Sequence, residues 1–83
     1  MKLAAIDIGS NAIRLLIKQV LIEKGAMKTS KILLLRVPLR LGEDVFKEGR
    51  ILADKSEKLL KVMQSFKLLM EVNEVVNYRA CAT

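Results

Sequence analysis

Eighty-three residues, 52% apolar and 29% charged, suffice for one small domain, exclude a second, and place the chain among soluble globular proteins. The net charge of +6 is uneven: residues 1–42 hold eight Lys/Arg against Asp7 and Glu23, whereas residues 43–83 hold seven of each sign. The solitary Cys81 excludes an internal disulfide and fits a reducing, cytoplasmic setting, and the lack of histidine removes the commonest general base and zinc ligand.

A basic half attracts polyanions in general, and the same surplus serves equally as a solvated face. Only Phe46, Phe66 and Tyr78 are aromatic, too few for a platform on which single-stranded nucleic acid stacks, which argues against that partner. Asp7 interrupts the N-terminus before a signal-type apolar core develops, and aliphatic runs stop at four residues, so neither secretion nor a membrane partner is expected.

Leu3–Ile8 is a short apolar run that meets Gly9, Ser10 and Asn11, the pattern of a buried strand entering a tight turn. Over Ala12–Ile22, Ile13, Leu15 and Ile17 alternate with Arg14, Leu16 and Lys18, which predicts a second strand running back antiparallel. Lys24-Gly25-Ala26 supplies the next turn, and Lys28–Arg40 is a third strand with Ile32, Leu34 and Arg36 against Leu33, Leu35 and Val37. Pro38 cannot donate to a ladder, which suits an edge strand or a strand terminus. Lys24, Lys28 and Lys31 either steer a polyanion or keep the hairpin soluble.

Leu41–Ala53 has Gly42, Gly49, mixed charge and no sustained period, and reads as a loop with at most a helical turn near Asp44–Glu48. Asp54 offers an N-cap with Glu57 three residues on, and Leu59, Val62, Met63, Phe66, Leu69 and Met70 form a stripe at helical spacing that packs on a core. Val75–Thr83 is then a buried strand, parallel to an earlier one, with Cys81 as a small buried residue. The fold class is α/β in the order β-β-β-α-β.

Asp7-Ile8-Gly9-Ser10-Asn11 places a carboxylate and closely spaced donors at the carboxyl end of a strand, where open α/β sheets hold ligands. Gly9 permits a positive φ and close approach of backbone N–H groups to an anion, Ser10 and Asn11 add side-chain hydrogen bonds, and Arg14 brings a bidentate guanidinium. The same residue types also make an ordinary hairpin turn, and Arg14 is equally a strand arginine reaching for water.

The segment from Ala4 to Ile17, with Asp7-Ile8-Gly9-Ser10-Asn11 and Arg14 at its centre, resembles the opening signature of exopolyphosphatases and guanosine pentaphosphate phosphatases. These belong to the superfamily of actin-like and sugar-kinase ATPases. Val37–Glu43 resembles that family's Arg-Leu-Gly segment, and Tyr78–Thr83 resembles the strand that leads into its Ala-Thr motif. The resemblance implies a ribonuclease-H-like unit, with residues 1–83 as the N-terminal part of the first such domain. It also implies Mg²⁺ on the side of Asp7, phosphate at Gly9, Ser10, Asn11 and Arg14, and Arg40 as a weaker candidate.

Ala12 departs from the pattern, since many relatives carry serine there. The activating glutamate and the second phosphate loop are expected beyond Thr83. The chain is therefore read as a fragment, inactive alone, of a hydrolase that removes terminal phosphate from polyphosphate or guanosine pentaphosphate. A non-catalytic nucleotide or polyanion module and a sugar-kinase-like ATPase fragment are the alternatives. Uncovered strands predict self-association, as a homodimer or by strand exchange.

Overall fold

The chain is described from a computed structural model over residues 1–82, in the order β1 (Lys2–Ile8), β2 (Ile13–Glu23), β3 (Ala26–Val37), α1 (Leu41–Glu48), α2 (Ala53–Val72) and β4 (Asn77–Ala82). The strands form a single sheet in the order β3-β2-β1-β4, antiparallel throughout except that β4 runs parallel to β1. The expected mixed α/β meander and parallel return are both present. Thr83, the end of the expected last strand, lies outside the described residues.

Alternation on β2 decides which face is buried. Ile13, Leu15 and Ile17 are fully buried, and their partners across the ladder, Ile6 on β1 and Leu33, Leu35 and Val37 on β3, join the same cluster. Helix α2 covers this face with Phe66 and Met70, both buried, and with Leu59, Val62, Met63 and Leu69 packed beside them. Each such side chain removed from water contributes about 1.5–3 kcal/mol, so this single helix-on-sheet layer supplies most of the driving force.

At the far end, β2 and β3 are joined by Lys24-Gly25, with φ of 50° and 77°. Two successive positive φ values make the tight turn whose twist matches that of the flanking strands. Ile17 pairs with Leu33 and Lys18 with Lys31, so Ile32 is an extra residue in β3 and forms a bulge.

Three sequence expectations are corrected. The Leu41–Ala53 stretch is not mainly loop: Leu41–Glu48 is a helix, closed by Gly49 at φ 72°, whose N–H donates to Val45 O at 2.9 Å. Among its described side chains the buried ones are Leu41 and Asp44, so the inward stripe contains a charge and carries no apolar period.

The second correction concerns the α2 cap. The helix starts at Ala53 with Leu52 as N-cap and no side-chain cap, so Asp54 does not cap it. Instead the Leu52 N–H donates to Asp44 Oδ2 at 3.1 Å, which uses a carboxylate from the neighbouring helix. At the other end Val75 N–H donates to Met70 O and Glu74 N–H to Glu71 O, with Glu74 at φ 57°, a left-handed stop that carries the helix to Val72.

Third, β4 is exposed along its whole length, Cys81 included, rather than buried. Hydrogen bonding to β1 fixes its register, but an edge strand without elements packed over it keeps its side chains in solvent. The radius of gyration, 15.1 Å, exceeds the roughly 12 Å of a compact domain of this size, because β2 and β3 project as a ribbon beyond the helical layer. None of the helices described is long and apolar enough to cross a membrane.

Candidate functional site

The loop between β1 and β2 sits at the centre of the sheet's carboxyl edge. Its geometry is fixed by backbone bonds: Gly9 N–H donates to Ala12 O at 3.0 Å, Gly42 N–H to Ser10 O at 2.8 Å, and Arg40 N–H to Asn11 O at 3.0 Å. Ala12 is buried, while Ser10 and Asn11 are exposed and Gly9 is half-buried. Among the described residues the glycines at positive φ are Gly25 and Gly49, so Gly9 turns the chain without entering the left-handed region expected for it.

The start of α1 is clamped onto this loop. A Cβ on Gly42 would stand 2.7 Å from Ser10 Cβ, closer than such atoms approach, so only glycine lets the helix come this near. Arg40 precedes the helix at φ 55° and ψ 48°, a left-handed conformation that costs a non-glycine residue about 1–2 kcal/mol. Three bonds hold it there: its own N–H to Asn11 O, and its carbonyl accepting from Glu43 N–H at 3.1 Å and from Lys55 Nζ at 3.0 Å.

Lys55 also pairs with Asp44, Nζ to Oδ1 at 2.9 Å. Asp44 is only 7% exposed, and it carries the buried charge of the described structure. The Lys55 ammonium, and then the Leu52 N–H, hold its carboxyl below the usual carboxylate value, against the opposing effect of burial.

On the face of the sheet opposite α2, register builds a row of side chains. Asp7 on β1 lies between Arg14 on β2 and Cys81 on β4, and Arg14 in turn faces Arg36 on β3. Asp7 is half-buried; Arg14 and Arg36 are exposed. Among the described residues the ion pairs are Lys47 with Glu43 and Lys55 with Asp44, so neither Asp7 nor Arg14 is neutralised by a direct salt bridge. No three acidic, histidine or cysteine groups among them converge on a metal position, and Asp7 is the only carboxylate in this row.

Beside the loop, an open cleft of about 620 Å³ is lined by Asn11, Arg36, Pro38, Arg40 and Glu43. The structure thus brings Asp7 and Arg14 together by strand pairing, and Asn11 and Arg40 together through the helix clamp. Sequence reasoning missed Arg36. The available signal was its position two residues before Pro38 on the same strand face as Leu34, but its approach to Arg14 depends on the bulge-adjusted register of β3.

No family model matches the chain, and no curated protein matches it. Solved structures do. The Ppx/GppA family member of Aquifex aeolicus is 36% identical with a TM-score of 0.86, over 99% of this chain and 26% of that one. A second structure of the Aquifex aeolicus PPX-GPPA enzyme is 38% identical with a TM-score of 0.83 over the same shares. An exopolyphosphatase from Cytophaga hutchinsonii shares the fold at a TM-score of 0.83 and 21% identity, over 99% of this chain and 25% of that one. The chain spans about a quarter of the length of the proteins it matches.

Two substitutions test the clamp. Gly42→Ala is expected to destabilise by about 1–3 kcal/mol in chemical denaturation, the cost of overpacking against Ser10, although alanine is otherwise the better helix former; unchanged stability would show that the helix can move away freely. Asp44→Asn is expected to be less stable than the unsubstituted chain at pH 7. Because the folded carboxyl titrates lower than the unfolded one, its contribution is complete above the unfolded value of about 4 and fades as pH falls through the depressed folded value. The gap between the two proteins in thermal melts should therefore narrow below about pH 4; a gap that is constant with pH would rule out the ionised pair as its source.

Proposed function

Since the chain belongs to the Ppx/GppA family, matching the N-terminal part of its actin-like fold along nearly all of its length, we propose that it is the first phosphate-binding segment of a phosphatase acting on terminal phosphoanhydrides. The substrate class is inorganic polyphosphate or guanosine pentaphosphate. The observation that carries this reading is the match at 36% identity and a TM-score of 0.86, combined with a loop at the sheet's carboxyl edge that joins Asp7 to Arg14.

In this reading Arg14 binds phosphate oxygens through its planar fork, and Ser10 and Asn11, exposed at the loop, donate side-chain hydrogen bonds to the same group. Gly9 keeps the loop free of a Cβ that would hold the anion away. A site with one carboxylate fits Mg²⁺, which is commonly held by one or two carboxylates together with substrate phosphates and water, and Asp7 is the residue that would hold it. When bound, the ion would neutralise phosphate charge that otherwise repels an attacking water.

The clamp at Gly42 and Arg40 holds the loop before substrate arrives, so its donors need little reorganisation as charge develops. Neither Asp7 nor any histidine serves as general base here, since the chain has no histidine and a carboxylate committed to a cation is a poor base. Activation of water is assigned to a glutamate outside residues 1–83, in a cytoplasmic parent protein. The 83-residue chain by itself would then bind without turnover.

Phosphate release from polyphosphate by the parent-length protein tests the assignment. Arg14→Ala is expected to lower kcat/KM on the order of a hundredfold, and Arg14→Lys by less, since lysine keeps the charge without the fork. Asp7→Asn should raise the Mg²⁺ concentration needed for half-maximal rate. Wild-type kinetics in both Arg14→Ala and Asp7→Asn would reduce the loop to a structural turn, and tight binding without turnover by the parent would favour a binding module.

The isolated chain is also proposed to self-associate. Phe46 is 91% exposed, Val72 81%, and the edge strand β4 presents Tyr78 to solvent, so apolar surface and unpaired backbone lie open together. Sedimentation over a concentration series should show dimers or larger species; a monomer at every concentration would contradict this.

A further inference from the structure

Arg14 and Arg36 face each other directly across the β2–β3 ladder on the open side of the sheet. Like charges in that relation destabilise a sheet, and no carboxylate described here forms a salt bridge with either one. Arg36 also lines the cleft beside the loop, where Arg40 projects from its left-handed position and Asn11 closes the loop side. The single acid on that lining, Glu43, is paired with Lys47 at 3.4 Å, so the cleft is net cationic.

Two costs therefore coincide at one place: a repulsive cross-strand pair and an arginine in a conformation that glycine adopts freely. A bound anion would offset the first, and the second places Arg40 at the cleft. Neighbouring strands are about 4.8 Å apart, so a group held at Arg14 and a second held at Arg36 belong to adjacent positions of one extended ligand.

We infer that the cleft lined by Asn11, Arg36 and Arg40 is a second anion subsite, taking the phosphate next in line to the one held at the Asp7–Arg14 loop. The inference rests on the phosphate reading of that loop and extends it to a linear chain of phosphates. Such a chain gains from the cleft, whereas a single orthophosphate fills the loop alone. Elsewhere on the same face Lys18 and Lys31 form another cross-strand cationic pair, separated from Arg14 and Arg36 by Leu16 and Leu34. This pair supplies an internal control for charge without a cleft.

Titration of the 83-residue chain at low ionic strength with tripolyphosphate and with orthophosphate, followed by amide and guanidinium NMR shifts, tests the subsite. The Arg36→Gln/Arg40→Gln double variant is expected to bind tripolyphosphate about tenfold or more weakly while changing orthophosphate affinity less than about twofold, as the loss of two charge-assisted contacts requires. Lys18→Gln/Lys31→Gln, with the same change in net charge, should shift tripolyphosphate affinity by less than about twofold. Arg40→Gly relieves the backbone strain, so it should fold at least as well as the unsubstituted chain and still lose tripolyphosphate affinity.

An equal loss in the Lys18/Lys31 and Arg36/Arg40 variants would reduce the effect to net charge and overturn the subsite. Weakening by Arg14→Gln with none by Arg36→Gln/Arg40→Gln would overturn it while leaving the loop assignment intact. If Arg14→Gln changed neither ligand's affinity, the reading of the loop itself would fail.

Discussion

The carboxylate of Asp44 ties together segments that are far apart along the chain. It accepts from the Leu52 N–H at the start of α2 and pairs with Lys55 within that helix, while the same Lys55 ammonium reaches back to the carbonyl of Arg40. Arg40 in turn donates its N–H to Asn11 in the β1–β2 loop. Such a pair contributes little net stability compared with an apolar replacement, because the Asp44 carboxylate is desolvated and the Lys55 ammonium partly so. Losing one partner, however, strands the other. Its main effect here is positional: it sets where α1 begins and therefore where the loop rests.

That placement explains why the short helix exists at all. Eight residues are too few to be helical on propensity alone, and the exposed Phe46 shows that α1 does not bury a full apolar stripe. It persists because Leu41 enters the core and Gly42 lies against Ser10, with Gly49 closing the far end. The loop is thus held from both sides, by strand pairing at Asp7 and Arg14 and by the helix at Ser10 and Asn11.

The two faces of the sheet divide the work. One carries Ile6, Ile13, Leu15 and Ile17 under Phe66 and Met70 and supplies the stability. The other carries Asp7, Arg14, Arg36 and Cys81 with none of the described helices over it, and it leaves charges in positions that a purely structural sheet would avoid. Proteins of the family that this chain matches are about four times as long.

Alternation and punctuation in the sequence determined much of this. The apolar period of two in β2, the helical stripe from Leu59 to Met70, and the Lys24-Gly25 turn are local properties, so the three-strand meander, the long helix and the hairpin were legible, as was the resemblance carried by Asp7 to Arg14; which strand β4 would join was not. Tertiary structure alone decided the rest. The inward side of α1 is Leu41 and Asp44, and a charge in that stripe looks like loop until its partner on α2 is known. The N-cap of α2 is Leu52, whose N–H is met by a carboxylate eight positions away, and the local Asp54 plays no part. Arg36 joins Arg14 only because Ile32 bulges and sets the register of β3, and Cys81 is exposed because burial depends on what packs over a strand, which its composition does not encode.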